Sequence, residues 1–573
     1  DRLAQKHNVR KDDWDSEQLS EALTLRLTEL QNRIVSPNPI QGHEVESLIT
    51  DEFRCQELRP KELSEVMRQG PIRVLAHERS AAKRVDSGEL DLDSDYPFLG
   101  AAGFAEALQQ LIVELGPKIN QRVKFKLFRI QTLQDTLVTH VRFEASNASE
   151  FGSGQQTAIW ICHWTLPNGK QTPKLVRIAL DDFEEVHISL PGGHLFVDCT
   201  ESVLGNNATY AQQVIPGVNH WLKRIPREFM GPFGHHGIAM GDVNGDGLDD
   251  LYVCDAGGLP NRLYLQQPDG TAVDRSSQCG VDILEDSTSA LLIDLDNDGD
   301  QDLAVGTDPV LRIAENNGRG VFSWRASIDV GTDSLSICAA DYDIDGYLDI
   351  YVCGYNVRKQ DPTRRGLPFP LPFHDANNGG RNLLLKNNGA FQFMDVTEQA
   401  GLEDNNTRFS MAASWEDFDN DGDLDLYVAN DFGRNNLYRN EGGKFSDIAS
   451  TAGVEDHATG MSVSWGDYNR DGHMDVYVGN MFSAAGNRVT YQRRFEQGIP
   501  SQTITHLRRM ARGNTLFANL ADAGATFRDV SEQADVTMGR WAWGSKFVDL
   551  NNDGWQDLVV ANGYVTGDNA DDL

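Results

Sequence analysis

The chain has 573 residues and carries a formal net charge of −35, with 86 acidic against 51 basic side chains. That length holds two or more domains with real cores, and the acidic excess excludes nucleic acid, whose phosphates need clustered Lys and Arg. No run of 18 apolar residues occurs, so nothing reads as a transmembrane span.

Residues 1–45 form a charged opening segment with one helix. Asp15 with Gln18 marks its start. Leu19, Leu23, Leu27, Leu30 and Ile34 make one apolar stripe, and Pro37 and Pro39 end it. The expected role is a tether or a brace. Residues 46–188 read as an α+β domain. A helix carrying Phe104, Leu108, Leu111, Ile112 and Leu115 stops at Gly116-Pro117. Four long β segments follow, near 121–130, 135–146, 155–166 and 173–188, with Trp160, Cys162 and Trp164 alternating with Ile161 and His163. Helices followed by a long meander, with Trp164-Thr-Leu-Pro-Asn-Gly-Lys and Asp181-Asp-Phe-Glu-Glu-Val, resemble the NTF2-like (SnoaL-like) cone. That resemblance implies a pocket in which His140, His163, Asp181 and Asp182 are the acid–base candidates. It implies no catalytic residue by position, since the family holds both enzymes and inert binders.

Residues 189–573 are repetitive. Six loops share the pattern Asp-x-Asp/Asn-x-Asp-Gly-x-x-Asp. Their four oxygen positions are Asp242, Asn244, Asp246 and Asp250; Asp294, Asp296, Asp298 and Asp302; and Asp341, Asp343, Asp345 and Asp349. The later loops give Asp417, Asp419, Asp421 and Asp425; Asp467, Asn469, Asp471 and Asp475; and Asp549, Asn551, Asp553 and Asp557. Hard oxygens at positions 1, 3, 5 and 9, with Gly at 6 for the turn, describe a Ca2+ cradle, and about six ions are expected. β-rich runs such as Leu-Tyr-Val-Cys (251–254) follow each loop where an EF-hand would need a helix. Removing the central Asp421 carboxylate is expected to loosen the metal and harm folding.

Four β segments recur per repeat, the third starting Asn-x-Leu (Asn261, Asn382, Asn436, Asn514) and the fourth reading Phe-x-Asp (Phe393, Phe445, Phe527). Four antiparallel strands are the blade of a β-propeller. Gly237, Ser289, Ser336, Ala412, Ser462 and Gly544 stand five residues before their loops, small enough for strands crowded at an axis. Phe196-Val-Asp198 repeats the fourth-strand signature ahead of the first loop and is expected to complete the final blade. Six blades follow, or seven if the native chain runs beyond Leu573. By these residues the region resembles the FG-GAP (VCBS) repeat family, whose loops bind calcium in integrin α-subunit propellers. Trp415-Glu-Asp-Phe-Asp-Asn-Asp-Gly-Asp-Leu-Asp-Leu-Tyr and Asn436-Leu-Tyr-Arg-Asn440 are closer to cartilage-acidic-protein-type propellers. No ASPIC/UnbV module follows in this sequence.

In such blades loops 1–2 and 3–4 share one face, and connections 2–3 and 4–1 share the other. Two insertions, 355–380 and 482–512, fall in 2–3 connections, away from calcium, where binding loops are expected. The first carries Leu367-Pro-Phe369-Pro-Leu-Pro-Phe373; the second carries Arg488, Arg493, Arg494, Arg508, Arg509 and Arg512. The arginines either pair with local carboxylates or recruit a protein or anionic glycan. His235-His236 read as structural rather than as a shared metal site. Cys254 and Cys353 read as buried thiols, a strained Cys338–Cys353 bridge being the alternative.

Extracellular calcium modules bind at roughly 10⁻⁴–10⁻³ M, which points to an extracytoplasmic home, whether secreted, periplasmic or at the cell surface. Sequons at Asn147, Asn207 and Asn405 agree with that. No leader segment is seen, and a signal peptide, if one existed, is expected to have been removed. The expected function is calcium-stabilised binding or scaffolding. The alternative is an enzyme acting on a carbohydrate or small ligand at the propeller mouth or in the cone.

Overall fold

A computed structural model describes residues 15–77, 96–116, 121–133, 136–149, 152–166, 172–190, 195–221, 223–225, 237–357, 369–521 and 526–563. The chain divides into two compact units, Asp1–Asp198 with Ala484–Pro500, and Cys199–Ser483 with Ser501–Leu573.

In the first unit the helix Asp15–Ile34 has the expected bounds. Its stripe of Leu23, Leu27, Leu30 and Ile34 is buried in the unit's own core, so it is an integral element and no tether. The four long strands are Arg122–Leu133, Thr136–Ser149, Gly152–Thr165 and Leu175–Ile188, paired in sequence as an antiparallel meander. Four shorter strands that the sequence did not suggest enlarge the sheet: Ile49–Cys55, Ser64–Gln69, Ile72–Ala76 and Phe98–Leu99. Ser64–Gln69 lies at one end of the sheet's strand order and is exposed along nearly its whole length, so it has no apolar alternation to betray it. Trp160, Cys162 and Trp164 share the core face with Leu137, Val141 and Phe143. The Phe143 and Trp160 rings stack at 5.2 Å, and Trp164 Nε1 donates to Thr139 Oγ1 at 2.9 Å.

Glu185 is fully buried in this unit and accepts from Arg59 Nε (2.7 Å) and Nη2 (3.0 Å), Gln156 Nε2 (2.8 Å) and His187 Nε2 (2.5 Å). Burial works to raise its pKa, but the bonds from His187, Arg59 and Gln156 win and hold it down at about 2. A depressed carboxylate contributes stability that is present above the unfolded pKa and is lost as pH falls through the folded one. The first unit is therefore expected to lose on the order of 2 kcal/mol between about pH 4.5 and pH 2. Thermal melts across that range should show a flatter pH dependence in Glu185→Gln.

Ala484–Pro500 belongs to the same unit. Arg488 Nη1 donates to Leu127 O at 3.0 Å, and the Arg129 guanidinium lies 4.2 Å from the centre of the Tyr491 ring.

The second unit is a propeller-like array of antiparallel sheets. Five repeats contribute four strands each, hydrogen-bonded in chain order. The first is Ile238–Gly241, Asp250–Val253, Arg262–Gln266 and Ala272–Asp274. The sixth shows two strands among the described residues, Ala542–Val548 and Asp557–Asn562. First strands of successive repeats pack side by side, and the small residues predicted there are needed. A Cβ on Gly237 would lie 2.5 Å from Ser289 Cα, while Ser462 and Ser545 hydroxyls meet at 2.8 Å. Each Asp of the fourth-strand signature accepts a backbone N–H two residues on, as in Asp395 to Thr397 (3.0 Å) and Asp529 to Ser531 (3.0 Å).

Phe196-Val-Asp198 does not complete a blade: these residues form no strand, and Phe196 and Val197 are exposed. Asp198-Cys-Thr200 leads directly into the helix Thr200–Leu204, so the signature marks the start of a turn and does not require an edge strand before it. The segment that follows seals the outer edge of the first sheet. Asn207 Nδ2 donates to Ala272 O and its Oδ1 accepts from Asp274 N, both at 2.8 Å, imitating a paired strand.

Candidate functional site

Each acidic loop joins the first strand of its repeat to the second, and one hydrogen-bond plan recurs. The Gly at position 6 donates to the first Asp in all six: Gly247 to Asp242 (2.8 Å), Gly299 to Asp294 (3.1 Å), Gly346 to Asp341 (2.9 Å), Gly422 to Asp417 (3.0 Å), Gly472 to Asp467 (2.9 Å) and Gly554 to Asp549 (2.8 Å). These glycines have φ between 83° and 97°, a region a side chain would strain. The Asp at position 5 accepts from residue 7, fixing the loop from within, as Asp421 does from Asp423 N at 3.0 Å. In three loops the carboxylates converge, with oxygens within 4.8 Å of one another: Asp294, Asp296 and Asp302; Asp341, Asp343 and Asp349; Asp417, Asp419 and Asp425. The other three have Asn244, Asn469 or Asn551 at position 3, so an amide oxygen stands where the third carboxylate would be.

The ninth position differs in kind from the rest. Asp250, Asp302, Asp349, Asp425 and Asp475 are 0% exposed and open the second strand. In Asp250, Asp302, Asp425 and Asp475 one oxygen accepts from the loop and the other from the end of the third strand or the residue after it; Asp425 takes Phe418 N at 3.3 Å and Asn440 N at 2.8 Å, whereas Asp349 takes Asn387 N and its Oδ2 is buried without a partner. Burial pushes Asp302, Asp349 and Asp475 up to about 7 and Asp425 up to about 8, helped by neighbouring loop carboxylates. Buried oxygens Asp343 Oδ1 and Asp419 Oδ1 have no hydrogen-bond partner. Crowded carboxylates with unpartnered oxygens fit a hard cation of the calcium class. The third loop has its own cation as well: Lys386 Nζ pairs with Asp343 and, at 2.8 Å, with Asp345.

A set of asparagines that motif reading passed over ties the loops of adjacent repeats together. Asn440 Nδ2 donates to Tyr342 O (2.8 Å) in the preceding loop and to Leu424 O (3.1 Å) in its own. Asn316 does the same to Val243 O and Gln301 O, Asn387 to Leu295 O and Leu348 O, and Asn519 to Phe418 O and Met474 O. Their signal was present as an Asn ending the third strand or directly following it, visible in Asn436-Leu-Tyr-Arg-Asn440 but read only as a family phrase. Asn440→Ala leaves buried carbonyls without donors and is expected to cost about 2 kcal/mol. Denaturant titration of the full chain, with and without calcium, checks that the cost is the same in both.

The opposite face carries the connections. Phe369, Leu371 and Phe373 are 71%, 59% and 53% exposed, on a run fastened by Asn378, which donates to Phe369 O and accepts from Leu371 N at 2.9 Å. Leu367 lies outside the described residues. Much of the expected basic docking surface is internal. Arg509 pairs with Asp456 (2.7 Å) and Asp529 (2.9 Å), and Arg512 with Asp529 (2.7 Å). Arg509 and Arg512 are therefore structural struts, because Asp456 and Asp529 fold back onto their helix, Ser501–Arg512; Arg488, in the first unit, is committed to Leu127 O. Arg508 lies on that helix, Ser501–Arg512, and the side chains of Arg493 and Arg494 are outside the description.

His235 and His236 also lie outside the described residues. His140 and His163 are buried, but they alternate with the core residues Val141, Cys162 and Trp164, so they occupy the sheet face turned from the core rather than an apolar pocket. Burial, then Arg177, lowers His163 to about 4. Asp181 is exposed and Asp182 half-buried. Asn147 is buried with its amide donated to Leu115 O (2.6 Å), and Asn207 is committed to the sheet edge, so neither is placed as a glycan acceptor. All seven cysteines are free, Cys338 standing opposite Tyr351 and Cys353 opposite Ser336.

An FG-GAP-like repeat model matches residues 242–305, 294–352 and 417–478, each stretch opening on the first Asp of an acidic loop. Cartilage acidic protein 1 of Xenopus tropicalis is 26% identical over 212 residues, covering 34% of this chain and 29% of that protein. The chain thus matches under a third of that relative's length. Among solved structures, an Agrocybe aegerita lectin described as recognising non-reducing terminal N-acetylglucosamine aligns over 57% of this chain and 74% of its own, at 16% identity and TM-score 0.32. A Lactobacillus plantarum protein aligns over 71% of this chain and 95% of its own, at 9% identity and TM-score 0.29.

Proposed function

We propose that this chain, which carries FG-GAP-like repeats, is an extracytoplasmic binding or scaffolding protein braced by Ca2+ at its six acidic loops. The supporting observation is the division of labour in the second unit. Rigid loops with converging carboxylates lie on one face, and a fastened, exposed apolar run lies on the other. Calcium holds the scaffold, and Phe369, Leu371 and Phe373 contact a protein partner. The pairing of Arg509 and Arg512 with Asp456 and Asp529 withdraws two of the six arginines from any anionic glycan, which favours a protein partner. Millimolar calcium outside the cell suits loops of this type, and the likeness to cartilage acidic protein 1 agrees with that setting. The antiparallel meander beside the helix Gly100–Ile112 supports an NTF2-like reading of the first unit. The placement of His140 and His163 away from its core weighs against an acid–base enzyme there.

The test is comparative capture. Full-length protein and a Phe369→Ser/Leu371→Ser/Phe373→Ser variant are immobilised in calcium and exposed to the same extracytoplasmic fraction. A protein retained by the first and lost by the second, at equal calcium content, supports the reading. Equal retention by both overturns the assignment of the surface.

A further inference from the structure

The first unit holds a cavity of about 740 Å3, inside the roughly 300–1,000 Å3 range of small-molecule sites. It lies where the hairpin of Ser64–Gln69 and Ile72–Ala76 meets the end of the strand Leu175–Ile188. Sheet register builds its basic wall. Arg68 stands opposite Arg73, Arg73 opposite His187, and His187 opposite Gly154. All three basic side chains line the cavity, joined by Arg59 and Lys61 from the loop after Ile49–Cys55. Like charges directly opposite one another weaken a sheet, so stability does not account for this row.

The wall is held from behind by carboxylates. Glu185, two residues before His187 and on the same side of the strand, bonds His187 Nε2 at 2.5 Å. It also takes Arg59 Nε and Nη2, so Arg59 Nη1 stays outside that fork. At the hairpin, Glu65 accepts from Arg68 Nε (2.7 Å) and Nη2 (2.9 Å) and from Arg73 Nε (2.6 Å). One carboxylate thus serves two guanidiniums and leaves a positive charge over, in a chain of net charge −35. Lys61 pairs with Glu57 at 2.5 Å. The arginine pair and the inner pair differ in depth. Arg68 and Arg73 side chains are 61% and 45% exposed, against 19% for Arg59 and 28% for His187.

We propose that this cavity binds a small dicarboxylate. Arg68 and Arg73 meet one carboxylate at the rim, and Arg59 and His187 meet the other deeper in. The carbon chain between them lies against Ile72 and Leu75, which line the same cavity. Guanidinium forks match the planar carboxylate. Two cation pairs at different depths call for two anionic groups, and a compact dianion such as sulfate reaches only one of them.

The experiment titrates calcium-saturated full-length protein with succinate, acetate and sulfate by calorimetry at low salt. One succinate per chain is expected, bound about tenfold or more tighter than acetate or sulfate. Arg68→Gln/Arg73→Gln changes two exposed side chains and should weaken succinate about tenfold or more with melting unchanged. Glu65→Gln releases both guanidiniums from their shared carboxylate and should tighten succinate by about threefold. No succinate binding by the wild type, equal binding by the double variant, or sulfate bound as tightly as succinate overturns the proposal.

Discussion

Asp425→Ala is expected to lower the melting midpoint of the second unit by about 5 °C or more, in calcium and in chelator alike. The carboxylate is fully buried and is the shared acceptor for Phe418 N and Asn440 N. Alanine leaves both buried N–H groups without a partner, at about 1–3 kcal/mol each, before any loss of metal is counted. Asp421→Ala behaves differently. Asp421 is exposed and accepts from Asp423 N within its own loop, so in chelator its removal costs about 1 kcal/mol or less. Its effect should appear only when calcium is present. The most sensitive ligand for folding is therefore the ninth and not the central one. Calorimetry of both variants, each with calcium and with EGTA, separates the two roles.

Chelation of the unmodified chain carries the other large effect. At about tenfold excess of free calcium over a typical extracellular dissociation constant, each filled site stabilises the folded form by about 1.4 kcal/mol. Six sites together contribute about 8 kcal/mol, so EGTA should lower the second unit's midpoint by roughly 10–20 °C. Repulsion among unneutralised carboxylates acts in the same direction; Asp302 and Asp425, already pushed up by burial, lie among them. The first unit has none of these loops and should melt unchanged. A second-unit midpoint that ignores EGTA would remove calcium from the account of stability.

The repeats were legible because their constraints are local. A nine-residue loop must present oxygens and a positive-φ glycine at fixed spacings, and six copies leave little freedom. The small residues from Gly237 to Gly544 could be read in the same way, since crowding of neighbouring first strands excludes larger side chains. What escaped was held by distant partners. Asn440 reaches back to Tyr342, and Arg509 owes its role to Asp456 and Asp529; neither pairing leaves a periodic trace. Phe196-Val-Asp198 misled because Asp-x-Thr marks the start of a turn whether or not a strand precedes it. In the first unit the long strands alternate clearly, so the facing of His163 away from Trp160, Cys162 and Trp164 was already implied by the sequence, but Ser64–Gln69 has no such alternation.

If the acidic loops are calcium sites, the ions they hold can be counted. Full-length protein stripped with chelator is dialysed against about 1 mM Ca2+, and bound metal is measured per chain. Six ions per chain are expected, with the third loop filling last because Ca2+ must displace Lys386 from Asp343 and Asp345. Fewer than four would contradict it.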